Sequence, residues 1–424
     1  MQQQHFRHYH YNNVVVGCIL LGGYYITKWL GIIAFTYRNA EPRRTQCKQQ
    51  RPQQSSCNTH RINHREKPHA QLHTHTSRVD FSRPLRYYSL AILLIITIAV
   101  PFVGRIMILN QDFLRNSKLL SLVGFGRFTF LHLCTVGTLF RQFCKQRELI
   151  TCINRIIQLR HAISALANQI ASEKYCGNHM ALMLCLQLIP LLLSPTWTIF
   201  IMWMEYADKR PAYLAALLCL YYCQLVLQLT LCTYYVSCLI LSQQSNQINQ
   251  LLRSVLRQAA KHCVHPRPFN INRRYRCHTL TDALRRLQCM HEENSQISRI
   301  LLRLYGPQLV AFFGFVLAEC TVQFFVLYFV SCSRHVGSVQ IWNSRLPHEK
   351  NGKEFCRMLL NPWAVLYVFG LLCHIFLLVG AAHQLQSRAQ STRVVLAEGS
   401  AQLPLPKDMC RRCRETQLPS TVSS

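Results

Sequence analysis

Two ionisable side chains lie inside stretches of the chain that are otherwise apolar. Glu319 stands in the middle of VLAECTVQFFVLY (316–328), and Arg127 interrupts an earlier apolar stretch. An ionisable group at mid-bilayer costs about 2.5 to 3.5 kcal/mol on insertion scales, so such groups usually face a protein interior or a wet cavity. Glu319 and Arg127 therefore predict either a structural ion pair or contacts to a ligand, and the residues alone leave both open.

The sequence offers no comparable pattern for catalysis. It contains no glycine loop for phosphate, no His-Glu-x-x-His and no acidic pair at an interpretable spacing. The Cys-x-x-Cys at 410–413 lacks the second ligand pair of a tetrahedral zinc site, and the histidine-rich tract at 64–76 is typical of a solvated low-complexity segment. We expect no enzyme activity, no cofactor and no metal, which leaves receptors, channels and transporters.

The composition indicates a membrane protein. Half of the 424 residues are hydrophobic, only 15% are charged, and the apolar residues are gathered in blocks. Because a bilayer core of about 30 Å needs about 20 apolar residues in a helix, six blocks predict spans. They cover residues 87–109, 119–140, 180–204, 212–241, 306–332 and 363–382. We predict an all-α, polytopic transmembrane helix bundle.

The apolar segment 14–35 is ambiguous, because it contains Lys28 and a Gly-Gly pair. It is too long for the apolar stretch of a secretory signal peptide. If it crosses the membrane, the N-terminus lies outside; if it lies along the interface, the N-terminus lies inside.

The net charge of +30 predicts topology and not a nucleic-acid partner, because the basic residues favour alternate loops. The segments 36–87, 141–179, 242–305 and 383–424 hold 34 Lys and Arg residues. The other three connections hold nine, so the basic set is predicted to be cytoplasmic. This gives a cytoplasmic N-terminal region (1–86) with a basic insert (42–78), a transmembrane domain (87–382) and a cytoplasmic tail (383–424).

The loops and cysteines add further expectations. The segments after the second span, after the fourth and before the fifth have apolar residues at helical spacing, which predicts cytoplasmic extensions of those spans. Most of the 21 cysteines lie in spans or in the cytoplasmic set, so free thiols are expected. Cys332 and Cys356 face outward in this topology and are the candidates for a disulfide.

The predicted outer loops are too short to form a ligand-binding domain, so a ligand site must lie among the helices. Aromatic walls with a few polar groups suit a small amphipathic molecule. Arg105, Trp203, Tyr222 and His374 belong to the wider set of polar and aromatic residues in the middle and outer halves of the spans. The pocket candidates are Arg127, Trp197, Tyr221, Gln224, Glu319, Gln323, Tyr328 and Tyr367. Interfacial anchoring or packing is the alternative for each aromatic residue.

Four segments of the chain resemble segments of a known receptor family. WLGIIAFTYRNAE (29–41) and DFSRPLRYYSLAILL (80–94) are similar to the opening of insect gustatory receptors. LLRLYGPQLVAFFGFVLAECTVQFFVLYF (301–329) resembles its fifth span, and LCHIFLLVGAAHQLQSRAQSTRVVLAE (372–398) resembles the end of its sixth. The resemblance covers most of residues 14–398.

The resemblance implies an inverted seven-span receptor in the plasma membrane of a sensory neuron, with both termini cytoplasmic. It also implies a ligand-gated cation channel, assembled as a homo- or hetero-tetramer, that binds tastants in the outer half of each subunit. On this view residues 14–35 do not span.

The chain departs from the family at two places. The family's last span ends in a Thr-Tyr to Gln-Phe pattern and lines the pore, whereas residues 393–424 are polar and contain prolines, so no pore residue is carried over. The basic insert 42–78 replaces a short connection. Three alternatives stay open: a non-conducting truncated form of the receptor, a seven-helix G-protein-coupled receptor and a secondary transporter.

Overall fold

The computed structural model describes residues 2–33, 35–38, 78–110, 118–170, 180–193, 211–264, 271–335 and 350–402. The elements in chain order are α1 (Gln2–Trp29), β1 (Phe35–Arg38), β2 (Arg78–Phe81), α2 (Arg83–Asn110), α3 (Lys118–Ile170), α4 (Met180–Leu193), α5 (Pro211–Val264), α6 (Ile271–His335) and α7 (Lys350–Gln402).

Five of the described helices are long and apolar enough to cross a membrane. The stretches are Arg83–Arg105, Leu122–Ile170, Leu217–Lys261, His278–Phe325 and Val365–Thr392. They overlap five of the six predicted spans and confirm a helical membrane bundle. The helix α4 covers the first part of the remaining predicted span, whose residues 194–204 lie outside the described residues. The helix α1 is not among the five.

The helices are much longer than a bilayer is thick. The 53 residues of α3 extend over about 80 Å at 1.5 Å per residue, against about 30 Å of hydrocarbon. The predicted extensions are confirmed as helices that continue α3, α5 and α6 without a break, and α7 continues past its apolar stretch in the same way.

Hydrogen bonds between helices show how they are aligned. Four bonds join α3 to α5 at the same sequence separation of 88, from Thr135–Cys223 to Ile170–Gln258, so these two helices run parallel. The helix α7 is parallel to α5, whereas α6 is antiparallel to α3. We call the end of the bundle that contains residues 141–170, 242–264, 271–305 and 383–402 the extended end.

The helix α5 forms the centre of the bundle. It contacts α2, α3, α6 and α7, and 67% of its most apolar window is buried, against 28% for α2 and for α3. At the extended end, polar side chains join it to its neighbours. Asn294 donates to Ser245 Oγ at 2.7 Å, and Thr392 donates to Asn249 Oδ1 at 2.6 Å. The extensions therefore pack as part of the same core.

A small antiparallel hairpin, which we did not predict, precedes α2. Its two strands pair from Phe35–Phe81 to Arg38–Arg78, so β2 begins at the last residue of the predicted insert 42–78. Asn154 of α3 holds the hairpin, since its side-chain amide accepts from Val79 N at 2.9 Å and donates to Val79 O at 3.0 Å. Gly31, with φ of 70°, turns the chain out of α1, and a Cβ there would lie 2.6 Å from Ile92 Cδ1.

Candidate functional site

Arg127 and Glu319 form an ion pair between α3 and α6. Arg127 Nε lies 2.6 Å from Glu319 Oε2, and Arg127 Nη2 lies 2.6 Å from Glu319 Oε1. The carboxylate is completely buried, whereas 41% of the Arg127 side chain is exposed. Gln323, one turn after Glu319, donates to Glu319 Oε1 at 2.9 Å. Both carboxylate oxygens thus have donors within the protein.

Gln224 and Tyr367 form a second pair, between α5 and α7. Gln224 Nε2 donates to Tyr367 Oη at 2.6 Å, and both side chains are buried. Tyr367 lies within electrostatic range of Arg127 and Glu319. The structure therefore brings five candidate residues, Arg127, Gln224, Glu319, Gln323 and Tyr367, to neighbouring levels of one bundle interior.

The remaining candidates lie elsewhere or outside the described residues. Tyr328 is 68% exposed, which suits a residue that anchors the helix at a membrane interface. Tyr221 is half-buried, one turn before Gln224. Trp197 and the side chains of Cys332 and Cys356 lie outside the described residues.

Three further residues of the wider set, Tyr222, Arg105 and Trp203, lie outside these groups or outside the described residues. Tyr222 donates to the carbonyl oxygen of Leu30 at 2.8 Å, so it holds the turn after α1. Arg105 is exposed, and Trp203 is outside the described residues. The cysteines whose side chains the structure describes are all free thiols.

A third group of polar residues lies deeper in the bundle, and of its members only His374 was named from the sequence, in the wider set. Gln187 of α4 lies 3.1 Å from His374 Nε2 of α7 and 3.5 Å from Cys232 Sγ of α5, through its amide nitrogen. His374 is seven residues beyond Tyr367, which places it about 10 Å nearer the extended end. The ring of Phe312 in α6 covers the imidazole, with 5.4 Å between ring centroids.

Polar residues of α5 connect the Gln224–Tyr367 pair to the group around Gln187 and His374. Gln224, Gln228 and Cys232 are spaced four residues apart, so they lie on one face of the helix. Gln224 contacts α7 and Cys232 contacts α4, as described above. Gln228 is 2% exposed and lies one turn from each of them. We call Gln187, Gln228, Cys232 and His374 the deep polar cluster.

Three buried polar atoms of the deep polar cluster have no hydrogen-bond partner among the described residues. These are Gln187 Oε1, Gln228 Oε1 and His374 Nδ1. Because the Gln187 amide nitrogen can only donate, His374 Nε2 accepts and His374 Nδ1 carries the proton. The cluster therefore presents two acceptors and one donor without partners, and a hydroxyl group can satisfy either kind.

The signal for this cluster was present in the sequence as a glutamine or histidine inside apolar runs. Neither an uncharged glutamine nor a histidine in an aromatic-rich helix stands out as Glu319 does, because the cost of burying an amide is much lower than that of a charge. Only the packing of α4, α5 and α7 shows that these residues meet. The described residues hold no group of three or more His, Cys, Asp or Glu side chains that suits a metal ion.

Comparisons with known proteins agree with this architecture. A family model described as 7tm chemosensory receptor matches residues 20–403. A Drosophila melanogaster protein with the name "Putative gustatory receptor 77a" is 27% identical over 340 residues, which is 77% of this chain and 72% of the relative. The chain therefore belongs to the seven-transmembrane chemosensory receptor family, as its resemblance to gustatory receptors predicted.

Proposed function

We propose that this chain is a gustatory receptor subunit that binds a small tastant inside its helix bundle and opens a cation conductance in the plasma membrane. The observation that carries the proposal is the deep polar cluster with its three unpartnered atoms. A buried polar atom without a partner costs about 1 to 3 kcal/mol, so a molecule that supplies the missing hydrogen bonds binds favourably there.

The chemistry of the cluster favours an uncharged ligand that carries hydroxyl groups. Gln187, Gln228 and His374 offer neutral donors and acceptors, and Phe312 supplies an apolar wall. Glu319, a buried carboxylate nearby, already accepts three hydrogen bonds from Arg127 and Gln323. We therefore assign the ion pair a mainly structural role and place the polar end of the ligand at the deep polar cluster, beside Gln224 and Tyr367.

Gating follows if the ligand prefers one arrangement of the bundle. The cluster joins α4, α5 and α7, so a bound molecule contacts three helices at once. It shifts the closed-to-open equilibrium only by its difference in affinity for the two states. We propose a tetramer, homomeric or with other gustatory receptors, whose α7 extensions transmit this shift.

The test uses Gln228→Leu in the full-length receptor. Calcium influx is measured in cells given a panel of sugars, other polyols and hydroxyl-free alkaloids. Loss of one hydrogen bond of about 1 to 2 kcal/mol raises the half-maximal concentration of a hydroxyl-bearing agonist roughly 5- to 30-fold. Gln250→Leu is the control, because it makes the same change about 33 Å further along α5, and it leaves the half-maximal concentration unchanged. Equal shifts in the two variants, or none in Gln228→Leu, contradict the assigned site.

A second readout separates binding from conduction. Purified receptor is heated with and without the agonist, because any ligand that binds only the folded state raises the unfolding temperature. Agonist protection without calcium influx supports the binding site and rejects channel activity for this chain alone. No protection by any member of the panel, in a receptor that still responds, rejects the site.

A further inference from the structure

A polar groove lies between α3 and α6 at the level where their apolar stretches end. It is a shallow depression lined by Arg141, Gln142, Lys145, Leu149, Leu304, Tyr305 and Gln308, with a cavity volume of about 20 Å³ and an opening on one side. Arg141 follows the last residue of the apolar run 119–140, and Tyr305 precedes the first residue of the run 306–332. The groove therefore lies at the depth of lipid headgroups, at the extended end of the bundle.

Arg141 is held in place by the backbone of α6. Pro307 has no N–H, so the carbonyl oxygen of Arg303 has no intrahelical donor. Arg141 Nη2 donates to Arg303 O at 2.8 Å, and Arg141 Nε donates to Leu304 O at 3.0 Å. Because a guanidinium has five N–H groups, three donors are left over at a fixed position in the groove.

The second basic residue of the groove is Lys145, one turn after Arg141. Its ammonium lies 2.5 Å from Glu148 Oε1, an exposed i,i+3 pair. Such a pair is weak in water, and two of the three ammonium hydrogens are not used in it. The groove thus carries two cations and one offsetting carboxylate, with a net positive charge.

Gln142, which also lines the groove, carries an acceptor without a partner among the described residues. Gln142 Nε2 donates to Thr230 Oγ1 at 3.1 Å, and the Thr230 hydroxyl in turn donates to Val226 O at 2.8 Å. The amide orientation is therefore determined, which leaves Gln142 Oε1 as a buried oxygen without a partner among the described residues. A phosphate oxygen cannot satisfy it, but a headgroup hydroxyl or ammonium can.

We propose that this groove binds the headgroup of an anionic phospholipid, with the phosphate at Arg141 and Lys145 and a hydrogen-bond donor of the headgroup at Gln142. Phosphatidylserine, with its ammonium group, and phosphatidylinositol, with its hydroxyls, have this combination, whereas phosphatidylcholine lacks both the net charge and the donor. Leu149 and Leu304 pack against the glycerol backbone of the lipid. Basic pockets between membrane helices bind anionic headgroups by the same chemistry.

The experiment measures lipid retention and needs neither tastant nor current. Full-length receptor is purified from nanodiscs of phosphatidylcholine with one-fifth phosphatidylserine, and the bound lipid is quantified by mass spectrometry. We expect enrichment of phosphatidylserine over the bulk composition. Lys145→Gln reduces the enrichment roughly two- to five-fold, as removal of one exposed charge contact does.

Arg160→Gln is the matched control. Arg160 is an exposed base on the same helix, about 22 Å beyond Lys145, and its loss leaves retention unchanged. Glu148→Gln, which removes the offsetting carboxylate, increases retention. Variants that fold are selected by monodisperse elution before lipid is measured.

Two results overturn the proposal. Equal losses in Lys145→Gln and Arg160→Gln show a diffuse charge effect and no site. If millimolar glycerophosphoserine displaces the lipid and binds with the same affinity as intact phosphatidylserine, the groove binds soluble phosphate esters and not a membrane lipid. Because lipid retention is independent of agonist response, either result leaves the proposed taste function standing, and loss of that function leaves the lipid site standing.

Discussion

Glu319 is the residue at which sequence and structure can be compared most directly. A buried carboxylate in an apolar helix requires a partner, and α6 places it against Arg127 with two bonds of 2.6 Å. Removal of one partner of such a pair leaves an uncompensated buried charge and costs about 3 to 5 kcal/mol, whereas an apolar replacement of both is often neutral. The partial exposure of Arg127 softens this penalty.

The single variant of the ion pair is therefore expected to be less stable than the double variant. Arg127→Leu lowers the unfolding temperature of the detergent-solubilised receptor, and Arg127→Leu with Glu319→Leu restores most of it. Glu292→Gln, a change at an exposed carboxylate of the same helix, serves as control for Glu319→Gln. If Glu319→Gln shifts the agonist concentration at normal stability and surface expression, the carboxylate contacts the ligand and our structural assignment of the pair is wrong.

At the scale of elements, the contribution of Arg141 to stability depends on Pro307. The guanidinium is needed there because proline removes the donor that Arg303 O would otherwise have. The two residues therefore act on the same backbone group from different helices, and their effects on stability must be coupled.

A double-mutant cycle measures this coupling. Arg141→Gln destabilises the wild-type receptor, but it destabilises the Pro307→Ala receptor less, because alanine provides the missing N–H. We expect a coupling free energy of about 1 to 2 kcal/mol in chemical or thermal unfolding. Additive effects of the two substitutions mean that Arg141 stabilises α6 only through charge or packing.

The hairpin of β1 and β2 makes a second prediction about elements. Arg38 and Arg78, which flank the segment 39–77, are direct partners across the two strands. Replacement of residues 39–77 by a short Asn-Gly turn therefore preserves the hairpin and its contact to Asn154. Surface expression and the unfolding temperature of the shortened receptor remain near those of the full chain. Asn154→Ala, which removes the contact to the hairpin, shows how much expression falls when that contact is lost. A fall of at least this size in the shortened receptor contradicts the prediction.

At the scale of the whole molecule, the parallel alignment of α3, α5 and α7 with α6 reversed agrees with alternate spans, and all long extensions therefore lie at one end. The segments 36–87, 141–179, 242–305 and 383–424 contain 34 of the Lys and Arg residues in the connections. On the positive-inside rule we propose that this end is the cytoplasmic one. Because α1 precedes the basic segment 36–87 and is not among the helices apolar enough to span, we expect the N-terminus on the same side.

An epitope tag tests the topology. A tag at the N-terminus is stained only after the cells are permeabilised, and a tag inserted between residues 343 and 344 is stained on intact cells. The second tag is the control for delivery to the plasma membrane. Staining of the N-terminal tag on intact cells would place α1 across the bilayer and would favour the arrangement of a G-protein-coupled receptor.

The sequence by itself determined the class of the protein and predicted the direction of its spans. Apolar length and basic asymmetry are properties of single segments and of the solvent around them, so they can be derived without knowledge of tertiary contacts. The same holds for the helical extensions, whose periodicity is local. Glu319 was recognised for the same reason, because a charge in an apolar run is costly whatever surrounds it.

Only the tertiary structure decided which polar groups meet. The pairing of Glu319 with Arg127, the position of Gln187 beside His374 and the use of Arg141 at the Pro307 region depend on the alignment of helices that are distant in the sequence. The short strands β1 and β2 were missed because their pairing spans the long segment between them. A buried polar group forms its hydrogen bonds with its neighbours in space, and the periodicity of the sequence contains no information on those neighbours.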